Sequence, residues 1–310
     1  MEPFKSIMKD VAGRKEMQEA RRRAVDELKN NPRIRRFIEQ NPDIDGDQLR
    51  RHLSRLYQFA EEWKHCDRCP GLANCPNMMK GYRPNLINDK GSPELTFSPC
   101  PLLRQYRQKR QQSELIHSYH VSKDILRATF QTIDKLETGR QPALKAAGDF
   151  VRSYLNDPEK AKGLYLYGDF GVGKTYLMGA IMNRLAERKL IASMIVYCPD
   201  FFREIRGAIQ DNSVETKLDV LKKTPVLILD DIGAETITPW IRDEVLGSIL
   251  QYRMTEHLPT LYTSNFDYDG LEAHFVFSQK SGIEEVKAKR LMERIRHFTV
   301  PIKMEGTDRR

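Results

Sequence analysis

Long apolar runs are missing from this 310-residue sequence: no stretch of 18 apolar residues occurs, and Met1 to Asp10 contains no apolar signal-like core. A membrane span and a secretory leader are therefore not expected, and the chain reads as cytoplasmic with no membrane partner. Cysteine is scarce, five in all, and four of the five fall between Cys66 and Cys100; in a reducing compartment disulfides are not expected. An acidic excess is absent too. The first 120 residues hold 23 Lys and Arg against 16 Asp and Glu, a net +7, while the remainder is near neutral at +1. This imbalance suits an acidic partner for the first part, either nucleic acid or an acidic protein face.

What is present is a soluble globular composition, 40% hydrophobic and 30% charged, on a chain long enough for two domains. The helical pattern from Arg14 to Asn30 carries the run Arg21-Arg22-Arg23 and stops at Asn31-Pro32. Pro32 suits the first turn of a helix through Ile34, Phe37 and Ile38, and Asn41-Pro42 ends it. From Asp45 to Lys64, Leu49, Leu53, Leu56, Tyr57, Ala60 and Trp63 recur at three- and four-residue intervals, predicting one continuous helix. The first 65 residues thus read as a small helical bundle.

The texture then changes. Cys66-Asp67-Arg68-Cys69 is a C-x-x-C followed by Cys75 and Cys100 in what reads as a loop rich in Pro, Gly and Asn, with few apolar residues to hold it. Structural Zn²⁺ on Cys66, Cys69, Cys75 and Cys100 would supply that hold, since C-x-x-C offers two thiolates from one turn. His65 competes with Cys75 for one ligand position, and an iron–sulfur cluster competes with zinc. A basic, glutamine-rich helix pattern from Leu102 to Tyr119 follows. The expected division is a helical zinc-binding domain over 1–105, a basic linker over 106–135 and an α/β domain over 136–310.

The strongest signal in the second half is Gly168-Asp169-Phe170-Gly171-Val172-Gly173-Lys174-Thr175, of the form G-x-x-x-x-G-K-T. Glycines allow the sharp turn that points backbone N–H groups at phosphate, Lys174 reaches the β/γ-phosphates, and the Thr175 hydroxyl suits Mg²⁺. The context agrees: Gly163 to Tyr167 is a strand pattern and Tyr176 to Ala186 a helix with one apolar stripe. Strand patterns recur at Ser193 to Cys198, Thr224 to Gly233 and Thr260 to Ser264. The second ends in Asp230 and Asp231, placed to hold Mg²⁺ through water and to polarise an attacking water; the third ends at Asn265, which can orient that water. Together they predict a parallel sheet flanked by helices.

Gly168 to Thr175, Leu229-Asp230-Asp231, Thr263-Ser264-Asn265 and Lys289 to Ile295 resemble AAA+ ATPases of the helicase-loader group. With the cysteine-containing helical domain and Arg127-Ala128-Thr129-Phe130, the resemblance extends over nearly the full length to the bacterial primosomal loaders. It implies an AAA+ P-loop fold, ATP with Mg²⁺ and slow hydrolysis, the replicative hexameric helicase bound by the N-terminal domain, single-stranded DNA bound by the AAA+ domain, other primosome proteins as partners, and an ATP-dependent homo-oligomer. It implies further that Arg294, or in competition Arg290, is an arginine finger for a neighbour's ATP. Two departures stand out: Asp231 occupies a position that is Glu in many relatives, and the 45 residues after Asn265 are too few for the usual helical lid. The alternatives are a transposase-helper ATPase with the same motifs and a nucleotide-gated binding module with little hydrolysis.

Overall fold

The computed structural model describes residues 26–133, 137–208, 213–278 and 282–309, together with Glu19 and Arg23. Two compact units divide between residues 109 and 110. Most of the helix expected from Arg14 to Asn30, with Arg21 and Arg22, lies outside the described residues; Asp26 to Lys29 is helical.

In the first unit, α1 (Pro32–Gln40) begins where the Asn31 side chain accepts the N–H groups of Arg33 and Ile34, with Pro32 in the first turn. The continuous helix expected from Asp45 to Lys64 is two, α2 (Gly46–Arg51) and α3 (Leu53–Asp67), because His52 leaves the helical path at φ −105°, ψ 23°. Its ring bonds Ser92 Oγ at 2.8 Å, drawing the break toward a β-hairpin. That hairpin corrects a second expectation, since Tyr82–Asp89 (β1) and Ser92–Pro99 (β2) pair antiparallel where a loop was read. Lys90 and Gly91 turn it with φ of 50° and 82°, the two left-handed residues of a tight hairpin turn. Ile34, Phe37, Leu49, Leu56 and Phe59 form the core beneath, and Trp63 donates its indole N–H to the Pro84 carbonyl at 3.1 Å. The unit is therefore helical with a hairpin packed on it.

The second unit is built on six parallel strands in the order β10-β4-β7-β6-β5-β3. These are β3 (Ile116–Tyr119), β4 (Gly163–Tyr167), β5 (Ser193–Tyr197), β6 (Val226–Asp230), β7 (Thr260–Ser264) and β10 (Thr299–Lys303); the minor hairpin β8 (Phe277–Ser278) and β9 (Gly282–Ile283) stands apart. β3, at the edge of the sheet, lies within residues 106–135, the stretch expected as a linker. The basic helix α4 (Pro101–Glu114), which buries no side chain, stops before it, and the short α5 (Lys123–Leu126) follows it.

Burial on both faces explains the sequence of the central strands. Val226 and Ile228 point into a core with α6 (Gln141–Asn156) and α7 (Lys174–Lys189), while Leu227 and Leu229 point into a core with the helices of the other face. Side chains of a strand alternate, so a strand covered twice must be apolar throughout. At the amino-terminal end of β6 and β7 the Arg253 guanidinium is buried to 1% exposure. It donates to the carbonyls of Leu221, Lys222, Thr224, Pro225 and Pro259 and to Thr260 Oγ1, with no carboxylate among these acceptors. Burial lowers its pKa to about 10.

Arg253→Ala would leave those carbonyls without their donor, at a cost of about 3 kcal/mol or more. The expected result is a thermal midpoint lower by about 6–12 °C for a unit of this size, with Arg253→Lys between the two. Differential scanning calorimetry measures it, and an unchanged midpoint would contradict the account.

Candidate nucleotide site

Residues 168–175 leave β4 and enter α7 at the carboxyl end of the sheet, where parallel strands open a crevice for ligands. Gly171 and Gly173 have φ of 74° and 98°, conformations that strain residues with a Cβ. Lys174 is 8% exposed, and its ammonium donates to the carbonyls of Gly168 at 2.7 Å and Asp169 at 2.8 Å and to Asn265 Oδ1 at 2.9 Å. The expected phosphate-binding lysine and the expected water-orienting asparagine thus meet, from β4 and β7.

Asp230 ends β6 between two hydroxyls: Thr175 Oγ1 donates to its Oδ1 at 2.8 Å and Thr263 Oγ1 at 2.6 Å. Burial outweighs these bonds and raises its pKa to about 6. Asp231 follows at φ 56°, a left-handed turn that Asp tolerates better than most residues. Its N–H donates to Thr263 Oγ1 at 2.8 Å and its carboxylate accepts Asn265 Nδ2 at 3.1 Å. Burial raises this carboxyl as well, opposed by the Lys174 charge and by Asn265 and Tyr197.

These groups line one cavity of about 470 Å³, with Phe170, Val172 and Gly173 on the loop side. Sequence reasoning missed five contributors. Thr263 enters the sequence reading as a strand residue and as part of the element ending at Asn265, with no role at the acids, although its hydroxyl joins both. Tyr197 ends β5 beside Asp231. Arg140, Met304 and Arg309 come from outside every motif. Of the two candidate fingers, Arg290 is exposed, while Arg294 is half-buried and donates to the Gly247 carbonyl at 3.2 Å; neither lines this cavity.

The expected zinc ligands lie in the first unit. Among the described residues, no three His, Cys, Asp or Glu side chains form a group that could hold a metal. Cys66 Sγ accepts from Asn77 Nδ2 at 3.3 Å, Cys75 Sγ from the Gly81 N–H at 3.4 Å and Cys100 Sγ from the Leu103 N–H at 3.4 Å; His65 faces Asn77 Oδ1 at 3.2 Å. The donor chemistry suits zinc, while the arrangement does not assemble a ligand set. The magnesium pair fares better, because Thr175 and Asp230 are in contact within the cavity.

Comparison with known proteins now adds to this geometry. Residues 1–97 match the family model of the primosomal protein DnaI N-terminus, and residues 101–310 match that of IstB-like ATP binding protein. Over 311 aligned residues the chain is 42% identical to the replicative helicase loader DnaI of Bacillus subtilis (strain 168), covering 100% of this chain and 99% of the relative. The chain belongs to the DnaI family. Two solved structures resemble this DnaI-family chain: a crystal structure of DnaI, at 49% identity and TM-score 0.56 over 64% of this chain and 100% of that one, and a putative primosome component from Streptococcus pyogenes serotype M3, at 35% and 0.53 over 65% and 99%. The crystal structure of the DnaC helicase loader, 23% identical with TM-score 0.51 over 59% of this chain and all of that one, shares the fold. The match over residues 101–310 makes the second unit of this DnaI-family chain a member of an ATP-binding family of AAA+ P-loop type, and no described helix is long and apolar enough to cross a membrane.

The raised Asp230 pKa has a signed consequence. Above about pH 6 the carboxylate is ionised and can serve Mg²⁺; below it the protonated acid cannot. Magnesium-dependent nucleotide affinity should weaken as pH falls through about 6, and binding near pH 6 should release a proton. Calorimetry in buffers of different ionisation enthalpy measures both, and Asp230→Asn should abolish the dependence.

Proposed function

We propose that the chain is an ATP-dependent loader of the replicative DNA helicase onto single-stranded DNA during primosome assembly. The observation that carries this is the meeting of Lys174, Thr175, Asp230, Asp231 and Asn265 around one cavity, in a chain whose first 97 residues match a primosomal family. A transposase helper would share the ATPase half, but that N-terminal match favours the loader.

Within the cavity the backbone N–H groups of residues 168–173 and the Lys174 ammonium bind the β/γ-phosphates of ATP. Mg²⁺, held by Thr175 and, through water, by Asp230, would neutralise phosphate charge. Asp231 accepts a proton from the attacking water, which Asn265 orients, and its short side chain makes turnover slow. Lys174 already sits in a ring of three acceptors, so phosphate binding exchanges protein acceptors for ligand oxygens with little reorganisation. Arg294, or in competition Arg290, acts on a neighbouring subunit's ATP in a homo-oligomer. The N-terminal domain docks on the hexameric helicase and other primosome proteins. Single-stranded DNA follows a basic track that subunits of near-neutral charge assemble together.

Lys174→Ala is expected to abolish tight ATP binding, and Asp231→Ala to retain binding while hydrolysing at least tenfold more slowly. Equal turnover by wild type and Lys174→Ala would overturn the reading. Mixing Arg294→Ala with Lys174→Ala pairs intact loops with intact fingers at some interfaces, so recovery of ATPase supports a shared site; co-assembly without recovery moves the role to Arg290. Co-purification with a transposase in place of the helicase would replace the loader assignment.

Zinc on Cys66, Cys69, Cys75 and Cys100 rests on donor chemistry alone: a C-x-x-C pair and two further sulfurs that already accept backbone N–H groups. Elemental analysis of the purified chain should find one zinc, lost in Cys66→Ser and Cys100→Ser with ATP binding intact. Iron, or no metal, would overturn it, and zinc retained in Cys75→Ser would move that ligand to His65.

A further inference from the structure

The segment after β10 returns across the phosphate loop. Glu305 N–H donates to the Gly139 carbonyl at 3.2 Å, Thr307 N–H to Glu137 Oε1 at 2.6 Å, and Arg309 N–H to the Gly171 carbonyl at 3.2 Å. Arg140, 3% exposed, clasps the Thr307 carbonyl from below at 3.2 Å. The fit is close on the loop side as well: a Cβ on Gly171 would collide with the Asp308 carboxylate, and one on Gly168 with the Met304 carbonyl. Glycine at these positions thus serves the strap as well as the phosphate turn.

This strap carries a cation to the nucleotide cavity. Arg309 lines it together with Lys174, and its guanidinium is held by Glu137 Oε2 at 3.1 Å, outside the motifs that build the rest of the site. Glu137 also accepts the Thr307 N–H and faces Arg140 at 3.2 Å, so one carboxylate fastens both the strap and its arginine. The Thr307 N–H first, then the two arginine charges, hold that carboxyl below its ordinary pKa, keeping it ionised.

Building on the nucleotide reading, we propose that Arg309 is a nucleotide-binding residue supplied by the chain's own strap, and that Glu137 is the latch holding its guanidinium at the cavity rim until a nucleotide phosphate takes it. A triphosphate is the stronger partner for a guanidinium, since it offers more charge and a bidentate face.

The test measures binding of MgATP to the full chain by calorimetry. Arg309→Gln should weaken it about tenfold, as expected for loss of one charge-assisted hydrogen bond, while Arg309→Lys should restore most of the loss. Glu137→Gln separates binding from scaffolding: freeing the latch should tighten ATP two- to threefold. Wild-type affinity in Arg309→Gln would overturn the proposal. So would equal weakening by Glu137→Gln and Arg309→Gln, which marks the pair as structural. Lys174→Ala in the same series tests the underlying site, because ATP binding unaffected by that change defeats the nucleotide reading whatever Arg309 does.

Discussion

A buried ammonium governs the architecture of the second unit. Lys174 is withdrawn from water, and a charge so placed is tolerated only when acceptors surround it. Two carbonyls of its own loop and the Asn265 amide oxygen supply them, so the loop is bent around its lysine and tied to β7 before any ligand arrives. From this tie the rest follows. Asn265 turns its amide N–H₂ to Asp231; Asp231 shares Thr263 with Asp230; Asp230 reaches back to Thr175, one residue beyond the lysine. The circuit closes across three strands and one helix, with no exposed side chain required.

Such a circuit explains why the two acids differ. Asp230 is enclosed by hydroxyls and apolar strand residues, where hydrogen bonds do not compensate for lost water, and its proton affinity rises. Asp231 lies on a left-handed turn at the cavity wall, within the field of Lys174. Burial raises both carboxyls, against the Lys174 charge and the hydrogen bonds that each accepts.

Much of this was legible in the sequence because its causes are local or periodic. The apolar run from Val226 to Leu229 announces a strand covered on both faces, and the loop announces itself by glycines and a lysine at fixed spacing. Less legible were features whose cause lies elsewhere in the chain. The hairpin over 82–99 contains Pro84, Asn85 and Pro93, poor strand formers that are held by their cross-strand partners; Asn88-Asp89-Lys90-Gly91 was the available turn signal. His52 interrupts a helical stripe because it bonds Ser92, 40 residues away. Arg309 follows no pattern at all, and its place depends on Glu137 and Gly171. The four cysteines have a suggestive spacing, while among the described residues no three His, Cys, Asp or Glu side chains form a group that could hold a metal.

Arg253 acts at the opposite edge of the same sheet. Its guanidinium grips the residues that enter β6 and β7 at Thr224, Pro225, Pro259 and Thr260. β6 is five residues long, so a slip of one residue would carry its far end about 3.3 Å along and turn every side chain to the other face. Asp230 would then leave Thr175 and Thr263 for an apolar layer. One cation at the base of the sheet therefore works as the stop against which both strands are gauged, fixing where a carboxylate stands at the far end.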